Sequence, residues 1–132
     1  MSGKTLDELE GVIWGEPPAD SYLVTTCHRL RKKPMDEFSV EDLRIMIGQE
    51  IGLRYHMPMA VQILEREPLA EGHFYPGDLL SSVVRADAWL RSQPALLARV
   101  IPITERAVAE LGDADAELRS RFVAFLSRVQ QP

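Results

Sequence analysis

The side chains able to do chemistry are few and scattered. His28, His56 and His73 are the three histidines and Cys27 is the single cysteine. No two of the histidines stand four apart, the spacing that would aim two imidazoles at one metal from a helix. Cys27 and His28 are neighbours, and neighbours on a helix point about 100° apart, so they do not converge either. A cysteine nucleophile also needs a base beside it and a thiolate-favouring setting. The apolar spacing around Cys27 puts it on a buried stripe instead. Glu65 and Glu67 are close enough in sequence to share a site, but general acid catalysis wants an apolar wall that raises one carboxyl, and none surrounds them. Neither GxxxxGK[ST] nor GxGxxG follows a strand, and no strand is available to precede one. These residues predict no enzyme, no metal and no cofactor. The enzymatic alternative is a site around His56, His73 and nearby carboxylates.

The elements that must position these residues are helical, and the chain is organised around Phe38 to Val84. Ser39-Val40-Glu41-Asp42 has the form of a capping box, so a helix starts at Val40. Leu43, Met46, Ile47 and Ile51 make one apolar stripe, and Gly52 follows where a left-handed C′ residue would stop the helix at Ile51. Gly48, inside that helix, marks a place where another element's backbone comes close. Leu53 to His56 reads as a connector. Met57-Pro58 then opens a second helix with proline at its first position, carrying Met59, Ala60, Ile63 and Leu64. Pro68 ends it. The turn-rich run Glu71 to Asp78 reads as a loop that either packs Phe74 and Tyr75 or presents them to a partner, and Asp78 caps a third segment with Leu79, Leu80, Val83 and Val84.

Before this stretch, Thr5 to Glu10 is at most a helical turn, and Gly11 to Pro18 is irregular because paired prolines keep the chain extended. Trp14 is expected to dock that segment on the core. Asp20 or Ser21 caps a helix bearing Leu23, Val24, Cys27 and Leu30, and Arg29, Arg31, Lys32 and Lys33 suit the negative end of its dipole. After Val84, Asp87 to Leu90 forms a brief turn and Ser92-Gln93-Pro94 opens a long helix. Leu97, Val100, Ile101, Thr104, Val108 and Leu111 lie on one side of it, Pro102 bends it, and Gly112 ends it. Asp113 or Asp115 starts the last helix, with Leu118, Phe122, Phe125, Leu126 and Val129 inward. Period-two alternation is absent throughout. The expectation is an all-α, single-domain bundle of about six helices over residues 1–132, with residues 94–130 as a C-terminal helical pair.

One domain of 132 residues is long enough to bury a core without disulfides or metal. One cysteine fits a reducing compartment, and no signal-like or membrane-length apolar run occurs, so the cytoplasm is the expected location. Twenty acidic against fifteen basic side chains leave a net charge of −5. That argues against direct nucleic-acid binding and for a basic partner. The acids gather at Asp7 to Asp20, Asp36 to Asp42, Glu65 to Glu71 and Glu110 to Glu117.

Leu6-Asp7-Glu8-Leu9-Glu10-Gly11, Trp14-Gly15-Glu16-Pro17, Asp20-Ser21-Tyr22-Leu23-Val24, His28 with Arg31-Lys32-Lys33-Pro34, Val40-Glu41-Asp42-Leu43-Arg44, Ile47-Gly48-Gln49, Ile51-Gly52-Leu53 and Phe74-Tyr75-Pro76-Gly77-Asp78-Leu79-Leu80 stand in a characteristic order. Together, over about residues 5–85, they resemble the immunity proteins of bacterial contact-dependent growth inhibition (CDI) systems. The resemblance implies a cytoplasmic antitoxin that binds and blocks the C-terminal toxin domain of a CdiA-type surface protein, as a 1:1 heterodimer, with no membrane partner. Such toxins are often nucleases, whose substrate-binding surface is positive, so an acidic protein can occupy it. The block falls on the active or substrate-binding surface, or acts allosterically from elsewhere. A helical adaptor for another bacterial protein is the alternative.

Motifs that carry a family likeness encode its shared scaffold, so the toxin-binding residues are sought between them. The candidates are the acids Asp36, Glu37, Glu65, Glu67 and Glu71, with Tyr55, His73 and Tyr75 as aromatic anchors near the same helix ends.

Overall fold

A computed structural model of the chain describes residues 3–12, 14–15 and 21–130. Among the described residues there are eight α-helices and no strand. They are α1 (Leu6–Glu10), α2 (Tyr22–Arg31), α3 (Val40–Gly48), α4 (Leu53–Arg66), α5 (Asp78–Arg85), α6 (Asp87–Arg91), α7 (Pro94–Leu111) and α8 (Ala116–Val129), with a 3-10 turn at Met35–Glu37. Six have eight residues or more, as the periodicity predicts. The two short ones, α1 and α6, stand where the sequence suggests only turns.

The capping box at Ser39 is present in both directions. The Asp42 N–H donates to Ser39 Oγ and the Ser39 N–H to Asp42 Oδ2, each at 3.1 Å. The other end of α3 differs from the sequence expectation: the helix stops at Gly48, not Ile51. Glu50, at φ 55, takes the left-handed position. The Glu50 N–H donates to the Ile47 carbonyl and the Ile51 N–H to that of Met46, both at 2.9 Å, which closes a Schellman motif without glycine. Gly52, at φ 61, instead starts α4. A Cβ there would lie 2.8 Å from the Leu6 side chain, so both conformation and space require glycine. Gly48 faces no backbone: a Cβ would rest at an ordinary 3.5 Å from Ser82 Oγ of α5.

Helix α4 therefore begins at Leu53, with Pro58 inside it rather than at its first position. Proline there forgoes one backbone bond. Burial of Leu53, His56 and Met57 holds the first turns together regardless. Helix α7 likewise runs continuously through Pro102, and its fully buried residues are Val100, Ile103, Thr104, Ala107 and Leu111. Leu97, Ile101 and Val108 are half-buried at the edge of that stripe. Gly112 ends α7, and Asp115 caps α8 by accepting from the Leu118 N–H at 3.0 Å.

Helix α3 is the middle of the structure. Leu43 and Ile47 join the main core with α4, α5, α7 and α8, while Ile45 and Met46 join Leu6, Cys27 and Leu30 of α1 and α2. On α2, Cys27 and Leu30 are buried and Leu23 is exposed. Arg31 is not a solvated last-turn cation. It is 2% exposed, donates to Asp7 (2.8 Å) and Glu10 (2.6 Å), and lies under the Trp14 ring, 4.3 Å from its centroid. The irregular segment around Glu16, Pro17 and Pro18, and Asp20 as the alternative cap, lie outside the described residues; Ser21 accepts from the Val24 N–H.

Candidate functional site

The first turn of α3 and the loop between α4 and α5 meet through buried carboxylates. Asp78, the first residue of α5, does not cap its own helix; Gly77 occupies that position. Its carboxylate turns back into the loop and accepts from the Gly72 N–H (2.6 Å) and the Phe74 N–H (3.1 Å). Glu41 of α3 accepts from the His73 N–H at 2.9 Å. Arg44, one turn on, pairs with Glu41 through two bonds of 2.7 and 2.6 Å and stands 3.9 Å from Asp78. That bidentate contact with Arg44 holds the Glu41 carboxyl below its ordinary pKa, against the opposing effect of burial. A Cβ on Gly72 would come within 2.5 Å of Glu41 Oε1, so a side chain there would push that carboxylate out of position.

Two aromatics emerge with different fates. Tyr75 is half-buried and packs against the main core. Phe74 is 67% exposed, with one face on the Arg44 guanidinium, whose carbon is 4.5 Å from the ring centroid. His73 beside it is 73% exposed, with its ring 3.7 Å from Glu41.

The predicted binding residues separate into groups. Asp36 and Glu37 are exposed on the 3-10 turn just before α3. Glu37 stands four residues before Glu41 in the chain, which bounds their separation at roughly 15 Å. Glu67 and Glu71 are exposed at the two ends of the segment entering the α4–α5 loop. Glu71, His73 and Tyr75 belong to the loop that meets the first turn of α3, Asp36 and Glu37 precede that helix in the chain, and Glu67 follows the end of α4. Among the described residues, Asp36, Glu37, Glu67 and Glu71 have no ion-pair partner.

Glu65 is different, because Arg99 of α7 holds it with bonds of 2.9 and 2.7 Å. Tyr55 is ten residues from Glu65 on the same helix, about 15 Å along its axis, so the two cannot share one contact point. Tyr55 donates to the Leu9 carbonyl at 3.3 Å and helps line a groove of about 350 Å³ with Leu9, Met35, Asp36, Arg54, Pro58 and Met59.

The remaining reactive residues are dispersed. Cys27 is buried in the smaller core, which pushes its thiol pKa up. His28 Nδ1 is 2.9 Å from the Gly15 carbonyl. His56 is fully buried against Phe38, and burial holds its pKa below the usual value. Its Nδ1 donates to the Ile51 carbonyl at 2.8 Å, leaving Nε2 without a partner. Among the described residues no three His, Cys, Asp or Glu side chains form a metal-binding group, and no helix is long and apolar enough to cross a membrane.

The loop network is what sequence reasoning missed. Glu41, Arg44, Gly72 and Asp78 all lie in or beside the family-like motifs, and periodicity gives no reason to bring them together across more than thirty residues. The signal present was the run Phe74-Tyr75-Pro76-Gly77-Asp78, which marks a shaped loop without telling which ring points outward. No curated protein and no solved structure matches the chain. Residues 8–100, which include α3, the loop and the start of α7, match the sequence model of the family described as CDI immunity proteins, and the chain belongs to that family.

Proposed function

We propose that this protein is a cytoplasmic antitoxin that binds the C-terminal toxin domain of its cognate CDI effector, a nuclease, and covers the toxin's active or substrate-binding surface in a 1:1 complex. The family match over residues 8–100 carries the reading. The protein works by occupying a surface and performs no reaction of its own.

The charge distribution supports a basic partner. Arg31, Lys32, Lys33 and Arg44 are engaged with Asp7, Glu10, Asp42 and Glu41, so these clusters largely cancel internally. The acids left over include Asp36 and Glu37, just before the N-terminal end of α3, and Glu67 and Glu71, in the segment that leads into the loop meeting that end. We assign the toxin-facing surface to this end, with His73 and Tyr75. Tyr55 extends it through the groove that it shares with Asp36, and Glu65, held by Arg99, is peripheral. Negative charge there steers a positive nuclease surface into contact, an effect that salt weakens.

Co-expression tests this function. Cells producing the toxin domain encoded immediately upstream should survive with the wild-type protein. A variant with Asp36, Glu37, Glu67 and Glu71 changed to Lys should associate with the toxin more slowly, most of all at low salt. Death of cells carrying wild-type protein contradicts the function; association unchanged by charge reversal contradicts the surface.

A further inference from the structure

The α4–α5 loop is organised by charged groups rather than by apolar packing alone. Its turn brings Glu41, Arg44 and Asp78 together in a mostly buried cluster, with Asp78 only 2% exposed. Buried ion pairs seldom add net stability over apolar packing of the same volume. What the cluster does is fix geometry. The N–H groups of Gly72, His73 and Phe74, three in succession, each donate to one of its carboxylates. The cluster's cation, Arg44, sits under the Phe74 ring. The product of this arrangement is one large apolar side chain held out in water at a fixed angle. An aromatic presented without freedom to lose is what a binding hot spot requires, since ordering a loop or rotamer on association costs affinity.

We propose that Phe74, although it stands in a family-like motif otherwise read as scaffold, is the anchor of the interface, inserting into a shallow apolar pocket rimmed by basic side chains on the cognate toxin domain. This rests on the antitoxin reading above. The inner face of the ring is taken by Arg44, and its outer face, negative at the centre of the π-system, is open to an aliphatic stem or a second cation. Glu71, exposed near the base of the same loop, supplies a carboxylate for that cation. Phe74 makes the contact; Glu41, Arg44, Gly72 and Asp78 are positioning residues that act through the loop.

The test measures the affinity of the full chain for the upstream-encoded toxin domain by calorimetric titration. Phe74→Ala should weaken binding roughly 30-fold or more, the factor that corresponds to a hot-spot side chain. Phe74→Tyr, which keeps the ring, should restore most of it. Tyr22→Ala is the control, because Tyr22 is a still more exposed aromatic, at 76%, on a different element. Thermal melting should be nearly unchanged in all three. If wild-type protein neutralises the toxin and Phe74→Ala binds within tenfold of it, or Tyr22→Ala weakens binding as much, the anchor assignment is overturned and the antitoxin function stands. If wild-type protein neither binds nor protects, the function itself is wrong.

Discussion

The α4–α5 loop and the α7–α8 hairpin are held in place by opposite means. In the hairpin, Val100, Ile103, Ala107 and Leu111 meet Leu118, Phe122 and Phe125, and the geometry follows from burying apolar surface. In the loop, backbone N–H groups donate to two carboxylates, one of them paired with Arg44, and the Phe74 ring is left outside. Apolar burial is non-directional and buys stability. Hydrogen bonds to buried charges are directional, and they fix a shape. The hairpin is therefore read as a support and the loop as the working part.

Four measurements would break or sharpen that contrast. Phe125→Ala in the hairpin should have the largest effect on stability, a loss of about 3–5 kcal/mol from a fully buried aromatic. Urea denaturation reads it, and toxin affinity of the folded fraction should not change. Asp78→Ala should cost less, about 1–3 kcal/mol for N–H groups left unpaired, yet it should weaken toxin binding where Phe125→Ala does not. Hydrogen exchange should accelerate at Gly72 and Phe74. An Asp78 variant that binds normally would remove the distinction between support and working part.

The third concerns pH. His56 is buried neutral with its folded pKa depressed by burial, which outweighs the bond to the Ile51 carbonyl. As pH falls below about 6.5, the unfolded chain takes up a proton that the folded one refuses, and stability drops by up to about 1.4 kcal/mol per pH unit. His56→Asn should flatten the stability curve below about pH 6.5. Asp7, Glu41 and Asp42, whose carboxyl pKa values are lowered in the fold, add a separate loss at lower pH, below their ordinary values of 3.8 to 4.5. The smallest effect is expected at Glu50, a non-glycine residue at φ 55. Glu50→Gly should stabilise by about 0.5–1 kcal/mol, because the left-handed conformation no longer strains a side chain.

Local signals marked most helix boundaries and failed at the junction of α3 and α4. Ser39 with Asp42 is a self-contained signal, and α3 begins where it says. Gly52 was legible as left-handed but not as the start of α4, because a non-glycine residue had already ended α3. Pro58 misled for a related reason: proline favours a first turn, but packing of Leu53, His56 and Met57 outweighs the one bond it loses. Arg31 looked like a helix-end cation because its partners, Asp7 and Glu10, are more than twenty residues away. The exposed acids at the N-terminal end of α3 were legible as candidates. The loop that gives Phe74 its position was not, since it depends on Glu41 and Asp78 meeting across the α3–α4–α5 turn.

The most direct measurement is a titration of toxin activity. Purified cognate toxin domain, proposed to be a nuclease, is incubated with cellular RNA and DNA while this protein is added in increasing amounts. Cleavage should fall in proportion and stop at one equivalent. Cleavage that continues unchanged at several equivalents would contradict the account.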